Sequence, residues 1–263
     1  MDTVKKSNVA GSFYPENSEE LKKLLDACDD NSIKTGQEEY NSAVALIAPH
    51  AGLVFSGPIA ASGYQLLQGL APKTIAILSP THYFNFEGVA THGAECFETP
   101  LGKIEVNQPL KNELVNSGQV QIIDQVFERE HALEVHLPFL QKYLTDFSIV
   151  PLIVGRCSPG EIEKIIDGLH LRGAFIIISS DLSHFHSYDQ AREQDSSTSS
   201  LIESCQFEKI TGDDACGYYP LSGLLKWAQS LKFKVKAIDI RNSGDTAGDK
   251  DQVVGYGSYI VYK

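Results

Sequence analysis

Six runs of apolar residues punctuate the chain: AVALIA at 43–48, TIAILS at 74–79, FSIVPLIV at 147–154, AFIIISS at 174–180, VKAIDI at 235–240 and VVGYGSYIV at 253–261. Their near-continuous apolarity predicts strands covered on both faces rather than strands with one wet side. Between them, 58–68, 131–144, 159–170, 188–204 and 220–231 carry apolar residues at helical spacing. Strands alternating with helices predict a layered α/β fold. The stretch DSSTSS, 195–200, is poor helix material by propensity, yet Ala191, Leu201 and Cys205 flank it at helical spacing, so a helix is expected through it. No internal repeat and no long Pro, Gly or Ser linker divides the chain, so a single domain over 1–263 is expected.

Composition narrows the partners. The 22 basic residues are outnumbered by 34 acidic ones, giving a formal charge of −12, and no Lys/Arg block could neutralise a phosphate backbone. A nucleic-acid partner is therefore not expected. No stretch approaches the ~18 uninterrupted apolar residues of a membrane span, and MDTVKKSNVAGSFYP lacks the apolar core of a signal peptide. A soluble, cytoplasmic protein without membrane contact is the expectation. The five cysteines, Cys28, Cys96, Cys157, Cys205 and Cys216, are scattered and form no C-x-x-C pair, which argues against a disulfide framework or a zinc knuckle.

Titratable residues collect where the apolar runs end. ALIAPH places His50 just past the first run, SPTH places His82 past the second, and SSDLSHFH places Asp181, His184 and His186 past the fourth. Ligands of open α/β sheets bind beyond the carboxyl ends of the strands, so these loops would meet in one crevice if their strands are neighbours. Each histidine alone reads equally as a loop residue bonded to backbone; their joint placement is what suggests a site. In EHALEVH, 130–136, the two histidines are five apart, which fits no zincin spacing and puts them on different helix faces. Glu130, His131 and Glu134 are accordingly expected to line or buttress a site. Cys216, in DDACGYYP, reads either as a small buried hydrophobe or as a thiolate favoured by the start of the helix near Pro220. The loop RNSGDTAGDKDQ, 241–252, lacks the residue order of a calcium hand and reads mainly as a turn between two strands.

Taken in order, VAGSFYP (9–15), PHAG with SGPIAAS (49–62), SPTH (79–82), TPLG (99–102), EHALEVHLPFLQ (130–141), SSDLSH (179–184), ACGYYP (215–220) and NSGDTAGDKDQVVGYGS (242–258) resemble the Memo-like family. That family is similar in fold to the class III extradiol (LigB-type) ring-cleaving dioxygenases. The resemblance implies a single α/β/α domain around a central mixed, largely parallel sheet. It implies a metal held by His50, His82 and Cys216, with Asp181 and His184 beside it as catalytic residues and Glu130 and His131 lining the cleft. A cysteine stands where the dioxygenases use a carboxylate, a donor set that suits iron(II) first, with copper or zinc as alternatives, and disfavours magnesium and calcium. The implied activity is a metal-dependent redox reaction on an unidentified small organic substrate. Two alternatives stay open: a zinc-type hydrolase at the same site, and a non-catalytic module binding a protein or phosphopeptide partner.

Overall fold

The structure, a computed structural model, describes residues 3–34, 36 and 40–263. The first half of the chain forms β1 (Val4–Lys5), α1 (Ser18–Asp30), β2 (Ala43–Ala48), α2 (Leu53–Tyr64), α3 (Leu67–Leu70), β3 (Thr74–Pro80), β4 (Val89–Thr91), β5 (Cys96–Thr99), β6 (Gly102–Val106), α4 (Gln108–Asn116) and β7 (Gln121–Ile122). The second half forms α5 (Leu137–Tyr143), β8 (Ser148–Val154), α6 (Pro159–Leu171), β9 (Phe175–Ser179), β10 (His184–His186), α7 (Tyr188–Glu203), α8 (Tyr218–Leu231), β11 (Lys234–Asn242) and β12 (Val253–Tyr262).

All twelve strands join one sheet in the order β1-β5-β6-β8-β3-β9-β2-β12-β10, with β11 on β12 and with β4 and β7 beside β8. Strands β6, β8, β3, β9 and β2 are mutually parallel, while β12 runs antiparallel to β2 and β11 antiparallel to β12. The sheet is mixed with a parallel centre. Alternate side chains of each central strand enter different cores. Leu46, Ile75, Ile77 and Ile177 pack with Leu21 and Leu25 of α1, Tyr64 of α2 and Phe139 of α5. Ile47, Leu78, Ile176 and Ile178 pack on the other face with Ile162 and Ile166 of α6 and Leu221 and Leu225 of α8. This two-sided burial explains why the strands read as unbroken apolar runs.

Helix α7 runs through the serine-rich stretch, as expected. Its start carries a reciprocal cap between Ser187 and Gln190, and Ser197, Ser200 and Ser204 donate their hydroxyls to the carbonyls four residues earlier. Those bonds satisfy groups that otherwise compete with the helix. Two boundaries differ from expectation. α2 begins at Leu53, five residues before Pro58, which sits inside it. The expected helical segment, 58–68, therefore began too late. The segment 131–144 is helical only from a short 3-10 turn at Glu134–His136 onward, because the carboxyl of Glu130 accepts from the N–H groups of His131 and Ala132 and holds them out of a helix.

Candidate metal centre

In the order β3-β9-β2 the three central strands end at the same edge, and their next residues carry the candidate chemistry. β2 delivers His50, β3 delivers His82, and β9 delivers Ser180 and Asp181. His131 arrives from the loop before the 3-10 turn. One nitrogen from each of His50, His82 and His131 lies within 4.8 Å of the others. His50 is buried, His131 partly so, and His82 is the most open of the three.

The surrounding bonds decide which nitrogen each ring presents. Ser179 Oγ lies 2.6 Å from His50 Nδ1 and donates its single proton to the carbonyl of Ala132 at 2.7 Å. The hydroxyl can therefore only accept from the ring, so His50 carries its proton on Nδ1 and presents a lone pair at Nε2. Glu130, buried beneath the group, accepts from His82 N–H (2.6 Å), His82 Nδ1 (2.9 Å), His131 N–H (2.9 Å) and Ala132 N–H (3.0 Å). Four donors keep it ionised: burial pushes its carboxyl up, and the bond to His82, the charge of His82 and the backbone N–H groups more than reverse that. His82 is thereby fixed with Nδ1 protonated and Nε2 free. Burial pulls its basicity down, but its bond to Glu130 and the charges of Glu130 and Asp181 leave it raised.

The remaining imidazoles are held neutral. Burial drives His50 far below the ordinary range, with His82, His131, His136 and His184 adding repulsion. Burial brings His131 to about 4 against the opposing pull of Glu130. Its Nδ1 is a buried polar atom without a hydrogen-bond partner, 3.4 Å from Glu130 Oε1. Neutral imidazoles with fixed tautomers, second-sphere carboxylate and hydroxyl partners and one orphaned ring nitrogen fit a transition-metal site.

Cys216, the residue before the N-terminal cap of α8, lies beside His50 and is not among the three residues whose ligand atoms cluster, where the sequence resemblance implied it in place of His131. Its Sγ lies 3.3 Å from His50 Nε2 and accepts from the N–H of Asp181 at 3.3 Å. Close approach of two backbones makes this possible: a Cβ on Gly217 would sit 2.4 Å from the carbonyl oxygen of Ser179 and 2.7 Å from Ser180 Cβ. The expectation that the helix start favours a thiolate is not met. Burial, followed by the charge of Asp181, pushes the thiol up.

Asp181 is buried; its Oδ1 accepts from the N–H of His50 at 2.8 Å and its Oδ2 lies 3.9 Å from His50 Nε2. Burial raises it to about 6 despite the bond from His50 and the nearby charges of His184 and His82. His184 opens β10, close enough for its charge to act on both Asp181 and His50. The next residue, Phe185, adopts φ +61° at a register shift against β12. His136 is separate from the group: it is fully buried, bonded to the hydroxyl of Tyr64 at 2.7 Å, and lowered to about 3 by burial. Glu134 ties down the N-terminal loop through Asn8 N–H, Val9 N–H and the Tyr14 hydroxyl, and that loop sets Phe13 against the ring of His131 at 4.6 Å.

Sequence reasoning brought forward His50, His82, Glu130, His131, Asp181, His184 and Cys216, and all lie at this edge. It did not single out Ser179, whose only signal is its place as the last residue of β9 in SSD, nor Phe13 in VAGSFYP.

A family model described as Memo-like protein matches residues 5–260. The chain belongs to the Memo-like family. This Memo-like protein is 34% identical to a MEMO1 family protein of Pyrobaculum aerophilum over 99% of both chains. It is 33% identical to one of Metallosphaera sedula over 94% of this chain and 95% of the other. With one of Aquifex aeolicus it shares 32% identity over 96% and 97%. Among solved structures it is similar to an uncharacterized protein from Escherichia coli K12 (TM-score 0.48, 14% identity, 81% of this chain and 98% of that chain). No helix among the described residues is long and apolar enough to cross a membrane.

Proposed function

We propose that this Memo-like protein is a metal-dependent redox enzyme of extradiol-dioxygenase-like architecture, using iron(II) to act on a small organic substrate. The observation that carries the reading is the pair of imidazoles whose Nδ1 atoms are tied to Ser179 and Glu130, leaving two Nε2 lone pairs at the ends of the two strands that flank β9. In this reading His50 and His82 are ligands and Cys216 supplies the third donor. The rings of His131 and His82 are stacked, 27° apart with centroids 4.7 Å apart, so His131 packs against the face of a ligand ring. The sulfur of Cys216, by contrast, already touches His50 Nε2. His131 then packs beside the ion.

The ion, with three protein donors and open positions, would activate oxygen or substrate by direct coordination. The chain supplies the rest. Ser179 and Glu130 hold the ligand rings in one tautomer. Asp181, buried beside the ligands with its Oδ1 bonded by the His50 N–H, is placed to hold or pass a proton at Oδ2. His184, at the open side, exchanges protons with the substrate. Asp181 also favours a second reading, a zinc hydrolase with Asp181 or His184 as general base for bound water.

Anaerobic purification with metal analysis tests the first step. Wild type should retain iron, and His50→Ala and His82→Ala should lose it. His184→Ala should keep the metal and lose turnover by roughly 10² to 10⁴. Substrate-dependent oxygen uptake separates the redox reading from the hydrolytic one, and metal-free wild type prepared anaerobically would sink both.

A further inference from the structure

Beside the candidate centre lies a cavity of about 430 Å³ whose wall includes Cys216, Asn85, Phe86, Arg156, Tyr218 and Tyr219. It is open rather than sealed, and it borders the candidate metal donors on one side only, through Cys216 and the Pro80–Thr81 turn before His82. Three aromatic rings lie along it, two of them, Tyr218 and Tyr219, in contact with centroids 4.0 Å apart and planes tilted by 33°. Arg156 is its one cationic lining residue.

The backbone of Arg156 is held firmly while its side chain is free to act. Its N–H donates to the carbonyl of Phe86 at 2.9 Å and its carbonyl accepts from Gly88 N–H at 2.9 Å, a bridge that locks the residue against the β3–β4 loop. A Cβ on the preceding Gly155 would sit 2.3 Å from the Phe86 oxygen, so the two segments approach more closely here than a side chain would allow. The guanidinium is 73% exposed, and its ion pair with Glu87, at 3.5 Å between two exposed groups, is of the kind that contributes little. A planar guanidinium engages a carboxylate through two parallel N–H donors, a geometry an ammonium cannot copy.

We infer that this cavity is a substrate subsite in which Arg156 binds the carboxylate of a flat organic acid whose body lies along Phe86, Tyr218 and Tyr219. The inference rests on the proposed function in one respect, that the reactive end of the acid is directed past Cys216 toward the metal donors. A phosphate ester carries a greater charge and would call for further cations, which the lining does not provide. The subsite assigns Arg156 to substrate selection and leaves the reaction to the groups at the strand ends.

Isothermal titration of metal-free protein at pH 7.5 reads the subsite without any metal or turnover. The probes are 4-hydroxybenzoate, its neutral counterpart 4-hydroxybenzyl alcohol, and phenyl phosphate. Wild type should bind the carboxylate about tenfold or more tightly than the alcohol, as expected for a charged hydrogen-bonded pair. Arg156→Met should bring the two to parity, and Arg156→Lys should fall between. The exposed side chain makes both variants safe for folding, and circular dichroism checks it. Parity in wild type, a carboxylate preference that survives Arg156→Met, tighter binding of phenyl phosphate, or no binding of any probe each overturns the inference. Zinc uptake by wild type and His50→Ala, measured separately, reports on the metal centre, so a failed metal site and a failed subsite give different results.

Discussion

The thiol of Cys216 and the imidazole of His131 compete for the third place at the centre, and protons distinguish them. The thiol is pushed up by burial and so stays protonated through neutral pH, whereas His131, at about 4, has no proton to lose. Binding a metal through Cys216 must therefore release a proton that binding through His131 would not. Between pH 8 and 9, zinc affinity should rise about tenfold more steeply per pH unit in wild type than in Cys216→Ser; equal slopes would give the third place to His131. The partners behind the rings make a second prediction. Glu130→Gln replaces one acceptor oxygen by an amide and leaves part of its four-donor shell unpaired, and Ser179→Ala frees the His50 tautomer. Each should weaken zinc binding by about 10- to 100-fold with the fold retained, as seen by dialysis against a chelator series. At this scale the ligand candidates were legible because each ends an apolar run or sits in a motif, while Ser179 was not. A serine that ends a strand looks like any other until its hydroxyl proton is traced to Ala132.

Elements bring these residues together, and the approach of α8 to the end of β9 is the tightest step. Gly217→Ala places a methyl on the carbonyl of Ser179 and the side chain of Ser180, neither of which is a flexible tip. The expected outcome is a loss of about 1–3 kcal/mol in urea unfolding together with weakened metal binding, because the displaced helix carries Cys216 with it. Equal metal affinity in a destabilised Gly217→Ala would mean that α8 does not place the sulfur. The helices α6, α7 and α8 were read within a residue or two from their apolar spacing. α1 was not proposed, although Asn17 caps it through the N–H groups of Glu19 and Glu20 and Leu21, Leu25 and Cys28 form its buried stripe. Its two lysines and five acidic residues diluted the pattern. The loop carrying His131 was misread as helix because the Glu130 carboxyl takes the N–H groups of the next two residues, a local bond that apolar spacing does not reveal.

For the whole molecule, pH dependence follows from the buried histidines. His50, His131 and His136 have folded values below the unfolded ~6.5, so they bind protons more readily in the unfolded chain. Their stabilising effect is full above ~6.5 and is lost as pH falls below it. Asp181 has the opposite sign: raised to about 6, it binds a proton in the folded chain before the unfolded one and offsets part of the loss between ~6 and ~4. Metal-free protein should therefore lose stability from pH 6.5 to 4, each histidine contributing up to about 1.4 kcal/mol per pH unit. Removing the contribution of His136 by His136→Gln should flatten the urea midpoint curve in that interval, and an unchanged slope would show that His136 titrates normally. The order of strands in the sheet was beyond the sequence, since every central strand is apolar on both faces and fits any neighbour. That order decides whether His50 and His82 meet, and it has a consequence for how the chain reaches its fold. β12 pairs with β2 through contacts such as Tyr259 with Ile47, roughly 200 residues apart. During synthesis every segment bearing the metal donors leaves the ribosome before β12 does, while β2 waits with an open, apolar edge of the kind that recruits other chains. A nascent chain of this protein should thus depend on chaperone shielding until its final strand arrives, and newly made protein should aggregate most readily in that interval.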